Sequence, residues 1–230
     1  MQKSQYILVT HSESLINSRT INNVIRLSID TAGYTNVNQP RIDTEAKWLV
    51  KILDNQRSSQ VFFGSKVILV EGEDDAYFFN AVLNYIEGKL KRGFLQSVSV
   101  VLIGGKKSSA WKSFFDSFGL RTYRILDFDA VCSEFYSEHS STKIDNLDKL
   151  NAFLSTHSDA ISQIESKYVE GTYILQRGEL EMYIGVRGLN QIIHFCEEDL
   201  EPFLSTKSSP HVLELRRNIA AILEIGEEDF

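Results

Sequence analysis

The chain has 230 residues, 43% hydrophobic and 24% charged, the ordinary balance of a soluble globular protein with room for one large domain or a domain plus a fragment of another. Its 31 acids outnumber its 24 bases, a net charge of −7 that argues against a general nucleic-acid coating protein. Two cysteines, Cys132 and Cys196, cannot frame a disulfide scaffold, and no apolar run approaches membrane-spanning length, so a reducing, cytoplasmic setting without a membrane is expected.

The first 63 residues are an unusual opening. Tyr6-Ile-Leu-Val9 reads as a buried strand running into Thr10-His11-Ser12, and a second strand is expected over residues 24–29. Residues 33–40, rich in Gly, Asn, Gln and Thr, read as a loop. Asp43 or Thr44 then caps a helix with Ala46, Leu49, Val50 and Leu53 on its inner face. Two strands and one helix bury little core alone, so this segment either leans on something further or packs as an appendage on the rest.

From residue 64 the pattern is α/β. Val67 to Val70 is an apolar run ended by Glu71-Gly72, and a helix starting near Asp74 or Asp75 follows with Ala76, Phe79, Leu83 and Ile86 on one face. A second strand, 98–103, ends at Gly104-Gly105-Lys106-Lys107. The next helix carries Trp111, Phe114, Phe115 and Phe118 inward and stops at Gly119. The third strand, 122–126, runs into Asp127-Phe128-Asp129. Residues 131–142 read as irregular, 144–166 as largely helical and 172–175 as a fourth strand, followed by Glu179 and Glu181. Ser209-Pro210 is a strong helix start, and that helix continues over 211–225. Strands alternating with helices at this spacing predict a mostly parallel sheet with right-handed crossovers.

All C-terminal strand tips of such a sheet share one edge, so Glu71, Asp75, Asp127, Asp129, Glu179 and Glu181 can converge there. Clustered carboxylates repel one another unless a cation sits among them. Oxygen-only ligands favour a hard divalent ion, Mg²⁺ or Mn²⁺, and two such ions suit in-line displacement at phosphorus. No histidine or cysteine stands at zinc-ligand spacing, which argues against zinc. Residues 87–124 hold eight bases against two acids. That block reads either as a guide for a phosphate backbone, with Lys106, Lys107 and Lys112 as candidates, or as solvated surface.

The segments Val70-Glu-Gly-Glu-Asp-Asp75, Ile103-Gly-Gly-Lys106, Leu126-Asp-Phe-Asp129 and Leu175-Gln-Arg-Gly-Glu-Leu-Glu181-Met-Tyr183 together resemble the overcoming-lysogenization-defect (OLD) nucleases. Those proteins join an ABC-type ATPase to a C-terminal TOPRIM nuclease. The resemblance implies a Rossmann-like TOPRIM sheet flanked by helices over 64–230, with a helical C-terminal part, preceded over 1–63 by a small α/β remnant of the ATPase and its connector. Tyr6-Ile-Leu-Val-Thr-His11 is similar to the last core strand of ABC ATPases, which ends in the switch histidine. By position it implies metal ligands at Glu71, Asp75, Asp127, Asp129 and Glu181, with Glu71 and Asp127 catalytic. The family commonly has Glu where this chain has Asp75, which keeps the charge on a shorter arm. The family's catalytic lysine near the C-terminus has Lys207 as its nearest candidate.

No phosphate-loop motif is found in this sequence, so ATP hydrolysis is not expected of this chain alone. What the resemblance implies is a DNA endonuclease or nickase using two divalent ions, working as a homo-oligomer or with an ATPase domain or chain in phage defence. The alternative is a non-catalytic or partner-dependent TOPRIM module acting with an ATPase.

Overall fold

The computed structural model describes residues 6–30, 32–40, 44–56, 59–104, 108–139 and 142–230. Near the N-terminus, strands β1 (Arg26–Ile29) and β2 (Thr35–Asn38) form an antiparallel hairpin, and helix α1 (Thr44–Gln56) follows. The main sheet comprises β3 (Lys66–Val70), β4 (Val98–Leu102), β5 (Arg121–Leu126) and β6 (Thr172–Ile174), parallel throughout in the order β4-β3-β5-β6. Between them run α2 (Glu73–Leu90), the single turn α3 (Phe94–Ser97), α4 (Ser108–Ser117), α5 (Ala130–Phe135), α6 (Leu147–Thr156) and α7 (Ala160–Ser166). After β6 the chain is helical: α8 (Leu180–Ile184), α9 (Leu189–Glu198), α10 (Leu200–Ser205) and α11 (Pro210–Leu223).

β3 is buried at all five positions, as its unbroken apolar run requires of a central parallel strand. One face of the sheet is covered by α2, α9 and α11, with Phe78, Phe79, Ile192, Leu215 and Ile219 in a single apolar cluster. The other face is covered by α4 and by the N-terminal segment. There Trp111, Phe115 and Phe118 pack with Leu49, Leu53, Val61 and Phe62 against Val67 and Leu69. A third cluster, under α5 to α7, holds Phe128, Ile144, Phe153 and Ile164. Trp111 is fully buried and stacks on Phe115 with ring centroids 5.7 Å apart. Trp111→Ala should therefore lower the unfolding free energy by about 3–5 kcal/mol, read from a urea melt.

Several expectations are revised near the N-terminus. Residues 6–9 are not a strand: Tyr6, Ile7, Leu8 and Val9 are between 71% and 91% exposed. The stretch 33–40, read as a loop, supplies β2, whose residues Thr35 to Asn38 pair with Ile29 to Arg26. Local polarity pointed to a loop, but cross-strand pairing decides a short edge hairpin. The segment packs as an appendage, since its apolar residues share one core with the main sheet across residue 63. Arg26 ties the hairpin down by donating to the carbonyls of Phe62, Gly64, Phe118 and Gly119. The stretch read as irregular, 131–142, begins instead with α5 and the 3-10 turn Ser137–His139.

Candidate metal centre

The strand order puts β3 and β5 side by side, while the chain leaves β3 toward β4 and returns across it to reach β5. Outside the C-terminal ends of two such strands lies the crevice where open α/β sheets bind ligands. Glu71 follows β3 at that edge, and Asp127-Phe128-Asp129 follows β5. The Asp127 backbone N–H faces the Glu71 carboxylate closely enough to favour its ionised form, so the two tips adjoin. The third tip is held by Gly178, whose carbonyl accepts from the Phe128 N–H at 3.1 Å. Gly178 has φ +120°, a backbone conformation that residues with a β-carbon rarely adopt, so glycine favours the close turn that brings in Glu179 and Glu181.

Asp75 sits in the first turn of α2, and one of its oxygens accepts from the Gly72 N–H at 2.9 Å. It thus caps the helix while facing the other acids. Glu71, Asp75, Asp127, Asp129, Glu179 and Glu181 are all half-buried. Burial raises the Asp127 carboxyl to about 9, with Asp75, Glu71 and Asp129 adding repulsion. Glu71 rises to about 7 through burial and then the charges of Asp129 and Asp75. Asp75 rises to about 6 through burial, with Glu181 adding to the rise and the Gly72 N–H opposing it. Glu179 is also raised by burial and by Glu181, but Arg187 at 3.3 Å and Lys143 at 3.8 Å pull it back. The five acids expected as ligands are therefore close enough to disturb one another, and beside them Glu179 pairs with Lys143 and Arg187.

Sequence reasoning missed Arg187 and Lys143, because nothing local marks either as a partner for Glu179. It also missed a buried support beneath the 176–181 turn. The Tyr183 hydroxyl accepts from the Arg177 N–H at 3.0 Å and donates to Glu214, which also accepts from Asn218 at 2.7 Å. Arg177 further binds the Met182 carbonyl at 2.9 Å. Tyr183→Phe removes two hydrogen bonds at once and should cost about 1–3 kcal/mol in a denaturant melt, since Glu214 stays buried with one donor fewer.

The candidate lysines fare differently. Lys106 and Lys107 lie outside the described residues. Lys112 pairs with Asp116 one turn on at 2.8 Å, which leaves less of its charge for a phosphate. Arg121 pairs with Glu224 at the opposite end of β5 from the acids, and Arg124 is buried against Thr172, Ser108 and Glu134. Those two arginines belong to the fold, so the basic block is smaller as a surface than as a sequence. Lys207 is exposed in the turn between α10 and α11. Ser209 in the same turn hydrogen-bonds His211, which lies 3.4 Å from Arg177, so the turn borders the support of the acidic edge.

A four-stranded parallel sheet with a glutamate behind its first strand and Asp-x-Asp behind its third resembles the TOPRIM class. More narrowly, residues 62–129 match the family described as overcoming lysogenization defect protein-like, TOPRIM domain, and that segment is an OLD-like TOPRIM domain. The chain is 26% identical over 155 residues to the Old nuclease of Escherichia phage P2, covering 62% of this chain and 26% of the relative. It thus spans about a quarter of that relative's length. Among solved structures, the mercury-phased C-terminal region of the Xanthomonas campestris pv. campestris OLD protein is 14% identical, with TM-score 0.36, over 74% of this chain and 90% of that one. The platinum-phased structure of the same region gives 15%, 0.35, 74% and 88%.

Proposed function

We propose that this chain is a divalent-metal-dependent DNA endonuclease or nickase of the OLD type, with residues 64–230 as its TOPRIM nuclease domain. The observation that carries the reading is the gathering of Glu71, Asp75 and Asp127, each pushed well above the carboxylate range, with Asp129 and Glu181 at the same edge. Half-buried carboxylates that repel one another are destabilising as a bare group and become favourable around a cation. All donors are oxygens, so the set fits Mg²⁺ or Mn²⁺. When bound, a pair of such ions supplies an activated water and charge stabilisation for the leaving oxygen in phosphodiester hydrolysis.

The chain's own residues then have distinct tasks. Glu71 and Asp127, on adjoining tips, would hold the ions at the switch point, with Asp129, Asp75 and Glu181 completing the set. Arg187 and Lys143 would keep Glu179 ionised and turned aside from substrate. Lys207 is a candidate for contacting the reacting phosphate, and Lys106, Lys107 and Lys112 for the DNA backbone. The test is nicking of supercoiled plasmid with Mg²⁺ or Mn²⁺. Metal-dependent nicking that vanishes in Glu71→Ala and Asp127→Ala is expected, and undiminished nicking in both variants overturns the assignment.

A second reading, a TOPRIM module whose work depends on an ATPase domain or chain, is favoured by one observation. Tyr6 to Val9, with Leu27, Ile29, Tyr34 and Val37 of the hairpin region, are apolar residues at least 61% exposed. Such a surface suits a partner sheet, consistent with residues 1–63 being the end of an ABC-type ATPase and its connector. On that reading nicking rises when an ATPase partner is added. Full activity from a stable monomer would count against it. Phage defence is the biology that the family resemblance implies in either case.

A further inference from the structure

We propose a second metal site, chemically unlike the acidic edge, formed by Glu138, His139 and His157. One ring nitrogen from each histidine and a Glu138 carboxylate oxygen lie within 4.8 Å of one another. The two histidines are 18 positions apart in sequence and meet because the 3-10 turn Ser137–His139 folds back onto the end of α6, where His157 caps the helix. Their rings sit 5.1 Å apart, and His157 stacks on Phe153 at 4.2 Å.

The hydrogen bonding of His157 prepares it as a ligand. Its Nδ1 lies 3.1 Å from the Phe153 carbonyl and 2.9 Å from the Thr156 hydroxyl. In the tautomer whose Nδ1–H donates to that carbonyl, the ring presents the Nε2 lone pair. A histidine whose other nitrogen donates to a backbone carbonyl is the usual arrangement around a protein-bound transition metal. The stacked Phe153 ring fixes the plane of the imidazole as well. Two imidazoles and a carboxylate suit Zn²⁺, Co²⁺, Ni²⁺ or Cu²⁺ far better than Mg²⁺, with open positions left for water. Ligands of such ions sit about 3.4 Å apart, so the present spacing closes with a shift of roughly an ångström, within reach of the exposed Glu138 side chain and of ring rotation.

The site would also do something for its neighbours. A metal here joins residue 139 to residue 157 and so clamps the intervening segment. That segment carries Lys143, which pairs with Glu179, and Asp145, whose carbonyl holds Arg187 at 2.8 Å. The ion would stiffen the loop that supplies Lys143 to Glu179 and anchors Arg187 beside it.

The test is a Co²⁺ titration of the whole chain with Mg²⁺ in large excess to occupy the acidic edge, followed by visible absorption and calorimetry. One equivalent of Co²⁺ should bind with a ligand-field band. His139→Gln and Glu138→Gln, both near the surface, should each weaken it at least tenfold with circular dichroism unchanged, as should His157→Gln. Asp127→Asn should leave it intact. Absence of the band, Co²⁺ binding that survives His139→Gln and Glu138→Gln, or binding that disappears with Asp127→Asn overturns the proposal. Because the readout is metal binding, it holds or fails independently of nuclease activity.

Discussion

Asp127→Asn should abolish metal-dependent DNA cleavage, by at least about a hundredfold, while making the metal-free protein more stable. Both effects have one cause. Asp127 is the most strongly raised carboxyl of the cluster, through burial and then the charges of Asp75, Glu71 and Asp129. An amide of the same shape removes a ligand charge and relieves that repulsion together. Each pKa unit of unfavourable interaction corresponds to about 1.4 kcal/mol, so the gain near neutral pH should be on the order of 1–3 kcal/mol after solvent screening. Plasmid nicking and thermal melts in chelator measure the two sides. Lost activity with lost stability would mean that Asp127 is structural, and the site assignment would fall.

The metal-free protein should lose stability as pH rises from about 4 to about 9, and Mg²⁺ should flatten that decline. Glu71, Asp75 and Asp127 have folded values of about 7, 6 and 9 against ordinary values of 4.5, 3.8 and 3.8. A carboxyl whose pKa is higher in the folded chain binds its proton more tightly there. The unfolded chain therefore gives up protons first, and folding loses ground from the unfolded value up to the folded one. Below the unfolded values all three are protonated in both states and the penalty is absent. A divalent ion favours the ionised forms, so the melting-point rise produced by Mg²⁺ should be near zero at about pH 5 and largest near pH 9. A melting temperature in chelator that climbs from pH 6 to 9, or an Mg²⁺ effect independent of pH, would contradict the repulsive cluster.

Asp75 shows how far a residue-by-residue reading can go. The sequence identifies it as the position where the OLD pattern carries a shorter acid. In the structure that shorter arm accepts the Gly72 N–H, so Asp75 divides its two oxygens between a helix cap and the acidic edge. Asp75→Glu should then raise activity or metal affinity if the longer arm frees an oxygen. It should also lower stability by about 1 kcal/mol through the weakened cap, measured by calorimetric metal titration and a urea melt.

What the sequence determined by itself is the α/β alternation, the strands that end in acids, and the TOPRIM-like spacing of Glu71 and Asp127-Phe128-Asp129. These depend on apolar runs and local turns, which are properties of neighbouring residues. Tertiary structure alone decided four other things. It paired 35–38 with 26–29 despite their polarity, because strand pairing outweighs local propensity. It withdrew Arg121 and Arg124 from the basic block into ion pairs of the fold. It brought Lys143 and Arg187 to Glu179, and the Tyr183–Glu214 network beneath the turn. Lastly it joined His139 to His157, a pair that sequence spacing gave no reason to expect, because helix ends meet in space according to packing rather than sequence distance.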